Sequence, residues 1–295
     1  MISVIIPTYK NRGGLRDALL SVLEQDYEDL EIIVVDDNSP ASGDRQKTIE
    51  IMKEFEGNSK VTYILHSENK NGAAARNTGI LASHGEYIAF LDDDDLFLPG
   101  KISKQVAYLE KHPEYDAVYC MAIRKGKPYG IDKNEGDCTR ELLMLNTCIY
   151  TPCQMFRCEP LKSINGYDES FRRHQDFDLL LRFFHAGYKI GCLPEILTEI
   201  GMNEGENIPS GQKLEDMKDY FFNKFMPYIG EIDNKEKGFK RRVFAKHYAG
   251  VFLNHVKHHN YCMARKIFSK YFFKSPATFM GVLFNSLLLH IKGDA

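Results

Sequence analysis

The chain has 295 residues, of which 43% are hydrophobic and 27% are charged, and its formal net charge at pH 7 is −3. This composition excludes an intrinsically disordered chain, which would be poor in apolar residues and strongly charged. The length allows one large α/β domain with an extension, or two smaller domains.

The patterns that predict export or membrane passage are not found in the sequence. Seven cysteines without a zinc-site spacing indicate reduced thiols, as in a cytoplasmic chain. Residues 2–6 form too short an apolar run for a signal peptide. The most apolar stretch, residues 279–291, is shorter than the roughly 18 residues of a membrane-spanning helix and contains Asn285 and His290. We therefore expect a cytoplasmic protein without a transmembrane helix.

Short β-branched runs alternate with longer amphipathic stretches through the first 120 residues, which predicts βαβ units around a mostly parallel sheet. The predicted strands span residues 4–7, 31–35, 61–65, 87–91 and 117–120. The predicted helices between them span residues 14–25, 44–55, 73–83 and 101–111.

The later part of the chain divides into an irregular and a helical segment. Residues 126–210 are punctuated by Gly and Pro and contain one clear helical pattern, residues 176–187. From residue 213 onward the sequence is helical, aromatic and basic. We therefore predict an α/β domain of residues 1–210 and a helical extension of residues 211–295.

Polar residues follow three of the predicted strands. Thr8 and Tyr9 follow the first strand, residues 36–39 (Asp-Asp-Asn-Ser) follow the second, and the four aspartates 92–95 follow the fourth. In parallel sheets of this kind, ligands bind beyond the carboxyl ends of the strands. We expect these side chains to converge at one edge of the sheet.

The four consecutive aspartates suggest a metal site. Adjacent carboxylates repel one another, and a divalent cation would relieve that repulsion. Mg²⁺ and Mn²⁺ prefer oxygen ligands and typically take one or two carboxylates, with phosphate oxygens and water completing the shell. The alternative is an acidic turn that caps the helix beginning near Pro99, but a cap needs only one acid. We therefore favour the metal site.

Three other segments have a structural and a functional interpretation. Residues 36–39 alone could be only a turn. The small residues 72–75 could be only a tightly packed helix start, although Arg76 beside them presents the rigid fork of donors that a phosphate or a nucleobase accepts. Asp176 could be only a carboxylate at a helix N-terminus, or a general base that takes a proton from an attacking hydroxyl.

Taken together, these motifs resemble the family 2 glycosyltransferases of the GT-A fold. The resemblance covers about residues 1–200, with the motifs in the expected order. They are residues 3–9 (SVIIPTY), 34–39 (VVDDNS), 72–79 (GAAARNTG), 90–95 (FLDDDD) with Pro99, 166–169 (GYDE) and 175–176 (QD). The resemblance implies a Rossmann-like sheet, a donor half at about residues 1–125 and an acceptor half at about residues 126–210.

The resemblance also implies a role for single residues. Those implied to contact the nucleobase are Pro7, Tyr9, Asp37 and Arg76. Asp92 and Asp93 would contact the ribose and the sugar, and Asp94 the metal ion, Mn²⁺ or Mg²⁺, on the diphosphate. Asp176 would be the general base, with Asp168 and Gln175 on the acceptor side.

The sequence departs from the family pattern at two points. The motif more often reads Glu-Asp, whereas here Gln175 precedes Asp176, so that no charge is available at the first position. Many relatives also carry an Arg and a His in the later loop, but residues 201–210 of this chain contain neither. Other groups must therefore close over the diphosphate.

The implied activity is transfer of a sugar, with inversion, from a nucleotide diphosphate donor to an acceptor hydroxyl. The family makes a UDP-sugar the default donor, and a saccharide in surface polysaccharide biosynthesis, free or linked to polyprenyl diphosphate, the expected acceptor. A regulatory protein that binds nucleotide sugars without turnover is the alternative. A processive synthase is disfavoured, because its Gln-x-x-Arg-Trp element needs tryptophan and this chain has none.

The C-terminal extension has a charge of its own. Residues 235–295 contain 12 basic and two acidic residues, so their formal charge is +10, whereas that of the rest of the chain is −13. One interpretation is a peripheral contact of residues 235–295 with the inner face of the plasma membrane. The other is packing on the catalytic domain or on a second copy. No nucleic-acid-binding motif accompanies the charge, so we expect no nucleic-acid partner.

Overall fold

The computed structural model describes residues 1–10, 13–130, 133–171, 174–201 and 211–291. The chain forms two compact units, Met1–Thr139 with Thr147–Asn203, and Arg140–Asn146 with Glu204–Ala295. The short segment Arg140–Asn146 therefore belongs with the C-terminal helices, although its position in the sequence had suggested the first domain. The predicted division at residue 211 borders residues 202–210, which lie outside the described part of the chain, and it stays a prediction.

A single mixed sheet forms the centre of the first unit. Its strands within the described residues are β1 (Ile2–Thr8), β2 (Leu30–Asp36), β3 (Val61–Leu65), β4 (Tyr87–Phe90), β5 (Leu96–Phe97), β6 (Ala117–Arg124), β7 (Lys127–Tyr129), β8 (Gln154–Arg157) and β9 (Ile190–Ile200). The helices along the same stretch of chain are α1 (Leu15–Leu23), α2 (Gly43–Lys53), α3 (Gly72–Ala82), α4 (Lys101–Lys111), α5 (Thr139–Leu143), α6 (Cys158–Ser163) and α7 (Gln175–His185), of which α5 belongs mainly to the second unit.

All strands and helices predicted for the first 120 residues are present. Their observed bounds lie within two residues of the predicted ones, except that β6 continues four residues beyond its predicted end, to Arg124. The four added residues, 121–124, begin with the buried Met121 and Ala122, so the apolar pattern of β6 continues beyond residue 120.

The strands are ordered β3-β2-β1-β4-β8-β6-β9-β5, and β7 pairs with β6. The half made of β1 to β4 is parallel, as predicted, because helices α1 to α3 supply the crossover connections that parallel neighbours need. The other half is mixed, since β8 runs antiparallel to both β4 and β6. In this half, β6 and β9 pair in parallel over eight residues, so most paired residues of the sheet lie in parallel pairs, as predicted.

Helix α3 packs very closely on the first strand. A Cβ atom at Gly79 would overlap the side chain of Ile5, which is fully buried. Small residues at the start of α3, Ala73 to Ala75, are also buried against the sheet. This close packing fixes the position of Arg76 on the same helix.

We expect Gly79→Ala to destabilise the protein by about 1–3 kcal/mol, because the added methyl group has no room between α3 and β1. The free energy of unfolding from urea titration measures this. Gly43→Ala, at the first residue of α2, is the matched control, since a Cβ atom there meets nothing within 4 Å. Equal stabilities of the two variants would contradict the close packing.

The second unit is helical and aromatic. Its further helices are α8 (Gln212–Lys235), α9 (Phe239–Lys257), α10 (Tyr261–Tyr271) and α11 (Pro276–Ile291). Stacked rings join them: the centroids of Tyr248 and Tyr271 lie 3.6 Å apart, and those of Phe222 and Phe244 4.3 Å apart. In the described part of the chain, no helix is both long and apolar enough to cross a membrane.

Candidate functional site

The four aspartates form a tight turn between β4 and β5 that two glycines hold in place. A Cβ atom at Gly14 would lie 2.5 Å from the carbonyl oxygen of Asp93, and one at Gly201 would overlap that of Asp94. Gly201 also donates its backbone N–H to Asp95 Oδ1 at 2.7 Å. The turn is therefore packed against the start of α1 on one side and the end of β9 on the other.

The four carboxylates are not equivalent. Thr8 donates its hydroxyl to Asp93 Oδ2 at 2.5 Å, and burial raises the pKa of Asp93 to about 6. Burial, followed by the charge of Asp92, raises the pKa of Asp95 to about 8. The raised pKa of Asp95 favours its protonated form at neutral pH, which relieves part of the repulsion that the sequence implied. Asp92 and Asp94 line a cavity together with Asp95.

Arg76 connects the acidic turn to the start of α7. Its Nη2 lies 2.5 Å from Asp92 Oδ1, and its Nη1 donates to Gln175 Oε1 at 3.2 Å. The guanidinium carbon lies 5.5 Å from the ring centroid of Tyr167. Gln175 in turn donates to the carbonyl oxygen of Phe171 at 2.7 Å. A neutral side chain before Asp176 thus serves as an acceptor for Arg76.

Asp176 lies in the first turn of α7 and lines the same cavity as Asp92 and Asp94. Burial raises the pKa of Asp176, while the N–H of Phe177 and the charge of Arg76 oppose that rise. A carboxylate with a raised pKa is a stronger base than an ordinary aspartate. The acids of the turn and Asp176 therefore face one space.

The sequence suggested that Asp37, at the end of β2, contacts a nucleobase, but in the structure its carboxylate accepts hydrogen bonds from the protein itself. It is 2% exposed, and its two carboxylate oxygens accept hydrogen bonds from His66, from Asn69 and from the backbone N–H groups of Lys70 and Asn71. A carboxylate has about four acceptor positions, so the set is complete. Asp37 thereby holds the segment before α3, and a nucleobase N–H would have to displace one of these donors. Its predicted contact with the base stays a prediction.

The neighbouring Asp36 forms a buried ion pair that was not predicted. Arg45 Nε lies 3.0 Å from Asp36 Oδ2, in the geometry of an ion pair rather than of a hydrogen bond, and the two side chains are 6% and 0% exposed. Arg45 Nη2 also donates to the carbonyl oxygens of Asn38 and His66. Arg45 therefore ties α2 to the ends of β2 and β3.

Three predicted site residues lie outside the acidic cluster. Tyr9 is 46% exposed and Pro7 is partly buried at the end of β1. Asp168 Oδ1 accepts from the N–H and the hydroxyl of Ser170, which shapes a turn. The predicted roles of these residues stay predictions. Residues 202–210, where the cations of many relatives are missing, lie outside the described part of the chain.

The cavity, of about 240 Å³, has further lining residues that the sequence did not predict. Arg124, Tyr129 and Tyr150 line it together with the four acids Asp92, Asp94, Asp95 and Asp176. Arg124 was missed because the predicted strand ended at residue 120, so that the residue at the true end of the strand was not inspected. The two tyrosines lie in the irregular segment, where no period marks a face.

The acidic residues fit a cation only in part. Among the described residues, no group of three or more His, Cys, Asp and Glu side chains is arranged to hold a metal ion. Asp92 and Asp94 share the cavity, however, and Mg²⁺ or Mn²⁺ typically takes one or two carboxylates and fills its shell with phosphate oxygens and water. The residues present therefore suit a cation that binds together with a diphosphate.

The chain is similar to known proteins in sequence and in fold. Residues 3–165, more than half of the chain, match the model of a family described as glycosyl transferase family 2. The amylovoran biosynthesis glycosyltransferase AmsB of Erwinia amylovora is 27% identical over 212 residues, which cover 68% of this chain and 69% of AmsB.

Two solved structures are similar in fold. TarS 1–349 of S. aureus in complex with UDP-GlcNAc has a TM-score of 0.61 at 16% identity, over 92% of this chain and 91% of that chain. The mannosyltransferase PcManGT from Pyrobaculum calidifontis, in complex with GDP-Man and Mn²⁺, has a TM-score of 0.56 at 18% identity, over 87% of this chain and 64% of that chain. The likeness shows a shared fold, the GT-A fold.

Proposed function

This chain belongs to glycosyl transferase family 2, and we propose that it transfers a sugar from a nucleotide diphosphate donor to an acceptor hydroxyl with inversion at the anomeric carbon. The observation that carries the proposal is the cavity, because Asp92 and Asp94 line it together with Asp176. A sugar whose diphosphate lies at the acidic turn would have its anomeric carbon within reach of a base.

The donor is a nucleotide sugar, with UDP as the nucleotide to test first. TarS, which has the same fold, was solved with UDP-GlcNAc, and PcManGT with GDP-Man, so the fold accommodates both. Pro7 and Tyr9 at the end of β1 are the candidates for the nucleobase. Asp37 supports that site by holding residues 66–71, and Asp92 and Asp93 are the candidates for the ribose and the sugar.

Negative charge develops on the diphosphate as it leaves, and nearby cations stabilise that charge. Asp94 would hold Mn²⁺ or Mg²⁺, which supplies positive charge when it is bound. Arg76 contributes a second cation, and its Nε has no hydrogen-bond partner among the described residues. Because Arg76 also holds Asp92, it positions the acidic turn while it stabilises charge on the leaving group.

Asp176 takes the proton of the acceptor hydroxyl as that oxygen attacks. Its raised pKa suits this role, since a general base works best when its pKa approaches the working pH. Attack on the face opposite the leaving diphosphate is a single displacement, which inverts the anomeric carbon, as in-line attack does in inverting glycosidases. Gln175, through its bond to Arg76, keeps the start of α7 beside the acidic turn.

Nucleotide release from UDP-, GDP- and dTDP-sugars, measured with Mn²⁺ and with a chelator, tests whether the protein binds and cleaves a nucleotide-sugar donor. We expect turnover of one donor class that needs the metal and is lost in Asp94→Ala, because this residue lines the cavity at the acidic turn. Glu50→Ala, an exposed acid on α2, is the control. Folded protein without metal-dependent nucleotide binding would refute the proposal, and binding without any turnover would favour the nucleotide-sugar-binding regulator.

The acceptor is a saccharide of polysaccharide biosynthesis. The name of AmsB assigns that relative to the biosynthesis of a polysaccharide, which supports the same role for this chain. A saccharide linked to polyprenyl diphosphate is the acceptor that also accounts for the extension of residues 235–295. Nucleic acid is not part of this role.

The extension would hold the enzyme at the inner face of the plasma membrane. On α11, Met280, Phe284 and Leu287 recur at helical spacing and are 50%, 60% and 57% exposed. Residues 237–291 contain ten Lys and Arg residues and no acid. Exposed apolar side chains beside positive charge suit an interface rich in anionic lipid.

Sedimentation with vesicles of phosphatidylglycerol and phosphatidylcholine tests this contact. We expect binding that weakens with salt, and a loss of bound protein when Met280, Phe284 and Leu287 are changed to Ser, because their apolar surface is no longer buried in lipid. Leu81→Ser removes a side chain in the first unit that is 84% exposed and should change nothing. Failure to sediment with anionic vesicles at low salt would exclude the membrane role.

A further inference from the structure

Arg124 is a cation in the cavity wall whose hydrogen-bonding capacity is largely unused. It ends β6, and among the described residues its one hydrogen bond is a long one, from Nη1 to the hydroxyl of Tyr129 at 3.4 Å. Its Nε is buried without a partner. No described carboxylate forms an ion pair with it, although four aspartates line the same cavity. A buried donor without a partner costs free energy, so a bound group that accepts from it would be stabilised.

Two tyrosines beside Arg124 form an aromatic surface. The rings of Tyr129 and Tyr150 stack with their centroids 4.7 Å apart, and both line the cavity. Arg124 lies over the first ring, with its guanidinium carbon 5.4 Å from the centroid. A Cβ atom at Gly130 would approach Tyr150 Cε2 to 3.1 Å, and Gly130 has a φ of +62°, so this glycine allows the second ring to pack there.

This surface combines two recognition elements for a charged sugar. Aromatic faces bury the apolar face of a pyranose ring, while a few polar groups in the pocket fix its orientation. A neutral sugar leaves the guanidinium without a counter-charge. A carboxylate or a phosphate ester pairs with it through two parallel hydrogen bonds, for which the planar fork of arginine is suited.

We propose that Arg124, Tyr129 and Tyr150 form a subsite for a saccharide that carries an anionic substituent, a carboxylate or a phosphate ester. The sugar ring packs against the tyrosine side chains where they line the cavity, and the anion pairs with the guanidinium. The subsite rests on the proposed function, since it deepens the substrate class of the same cavity. The anionic sugar is either the transferred sugar of the donor or the sugar of the acceptor.

Binding of matched sugar pairs, followed by calorimetry and ligand-observed NMR, tests the subsite. Methyl glucuronide against methyl glucoside, and glucose 6-phosphate against glucose, represent the acceptor. UDP-glucuronate against UDP-glucose represents the donor. We expect the charged member of at least one pair to bind roughly tenfold to a hundredfold more tightly, as one charge-assisted hydrogen-bonded pair allows.

The variants separate this subsite from the diphosphate site. Arg124→Gln should abolish the preference while UDP binds as in the native protein, and Arg124→Lys should restore part of it. Arg16→Gln, which removes an exposed arginine of α1, should leave the preference intact. Equal binding of charged and neutral sugars by the native protein would overturn the proposal, as would an Arg124→Gln variant that weakens UDP as much as the charged sugar. Absence of UDP binding would refute the proposed function alone, because the methyl glycosides and glucose 6-phosphate still report on the subsite.

Discussion

Asp176→Asn is expected to lower kcat for sugar transfer by about 10²–10⁴-fold, the range that a general base contributes. The substitution keeps the shape of the side chain and its place in the first turn of α7, but it removes the atom that accepts the proton. The donor Kd should stay within about twofold, since the lost interaction is made with the acceptor hydroxyl in the transition state.

Single-turnover kinetics and titration of the donor separate these two quantities. Glu50→Gln, which removes an exposed carboxylate of α2, is the control for the change in charge. An Asp176→Asn variant that transfers sugar at the native rate would exclude Asp176 as the base.

The rate of sugar transfer by the native protein should depend on pH through Asp176, and the Asp176→Asn variant tests this. A base must be deprotonated to act, so the native rate falls as the pH falls through the pKa of Asp176. Burial raises that pKa, so the acid limb lies above the value of about 3.9 of an ordinary aspartate. The residual rate of Asp176→Asn should lack this limb. An unchanged acid limb in the variant would assign the titration to another group.

Arg45→Met is expected to lower the free energy of unfolding by about 3–5 kcal/mol, because it leaves the carboxylate of Asp36 buried without its counter-charge. Tyr63 and Asn38 would still donate to Asp36, but neither is charged. The carbonyl oxygens of Asn38 and His66 would also lose a donor.

Urea titration followed by circular dichroism measures this loss. Arg16→Met is the matched control, since Arg16 pairs with Glu54 at the surface, where the two side chains are 52% and 49% exposed. Exposed pairs contribute no more than about 1 kcal/mol. Similar losses in the two variants would mean that the Asp36–Arg45 pair is not the tie between α2 and the strand ends.

The first half of the fold was predictable because its signals are local. Helix α4 was predicted at its observed bounds, Lys101–Lys111, since its buried residues recur at the helical period. The strands β1 to β4 were found from short β-branched runs followed by polar residues. The order β4-β8-β6 was not predictable, because antiparallel insertion of a strand depends on pairing between distant segments.

At the site, the four aspartates 92–95 also show that the sequence does not reveal contacts between distant segments. Its sequence indicated carboxylates at a strand end, but four adjacent aspartates carry no mark of which one is buried. Thr8 donates to Asp93 and Gly201 donates to Asp95, and these contacts distinguish the two side chains from Asp92 and Asp94. Asp36 and Asp37 likewise have the same residue type, and only their partners separate an ion pair with Arg45 from a cap on residues 69–71.

The sequence by itself determined the family, the GT-A fold and the strand ends at which chemistry was expected, because strand periodicity and the polar motifs are properties of neighbouring residues. The tertiary structure decided which side chains share a space: it joined Arg76 to Asp92 and Gln175, and it brought Arg124 and two tyrosines to the cavity of Asp176. These contacts join residues far apart in the chain, and their existence depends on how the strands pair and how closely the helices pack on them.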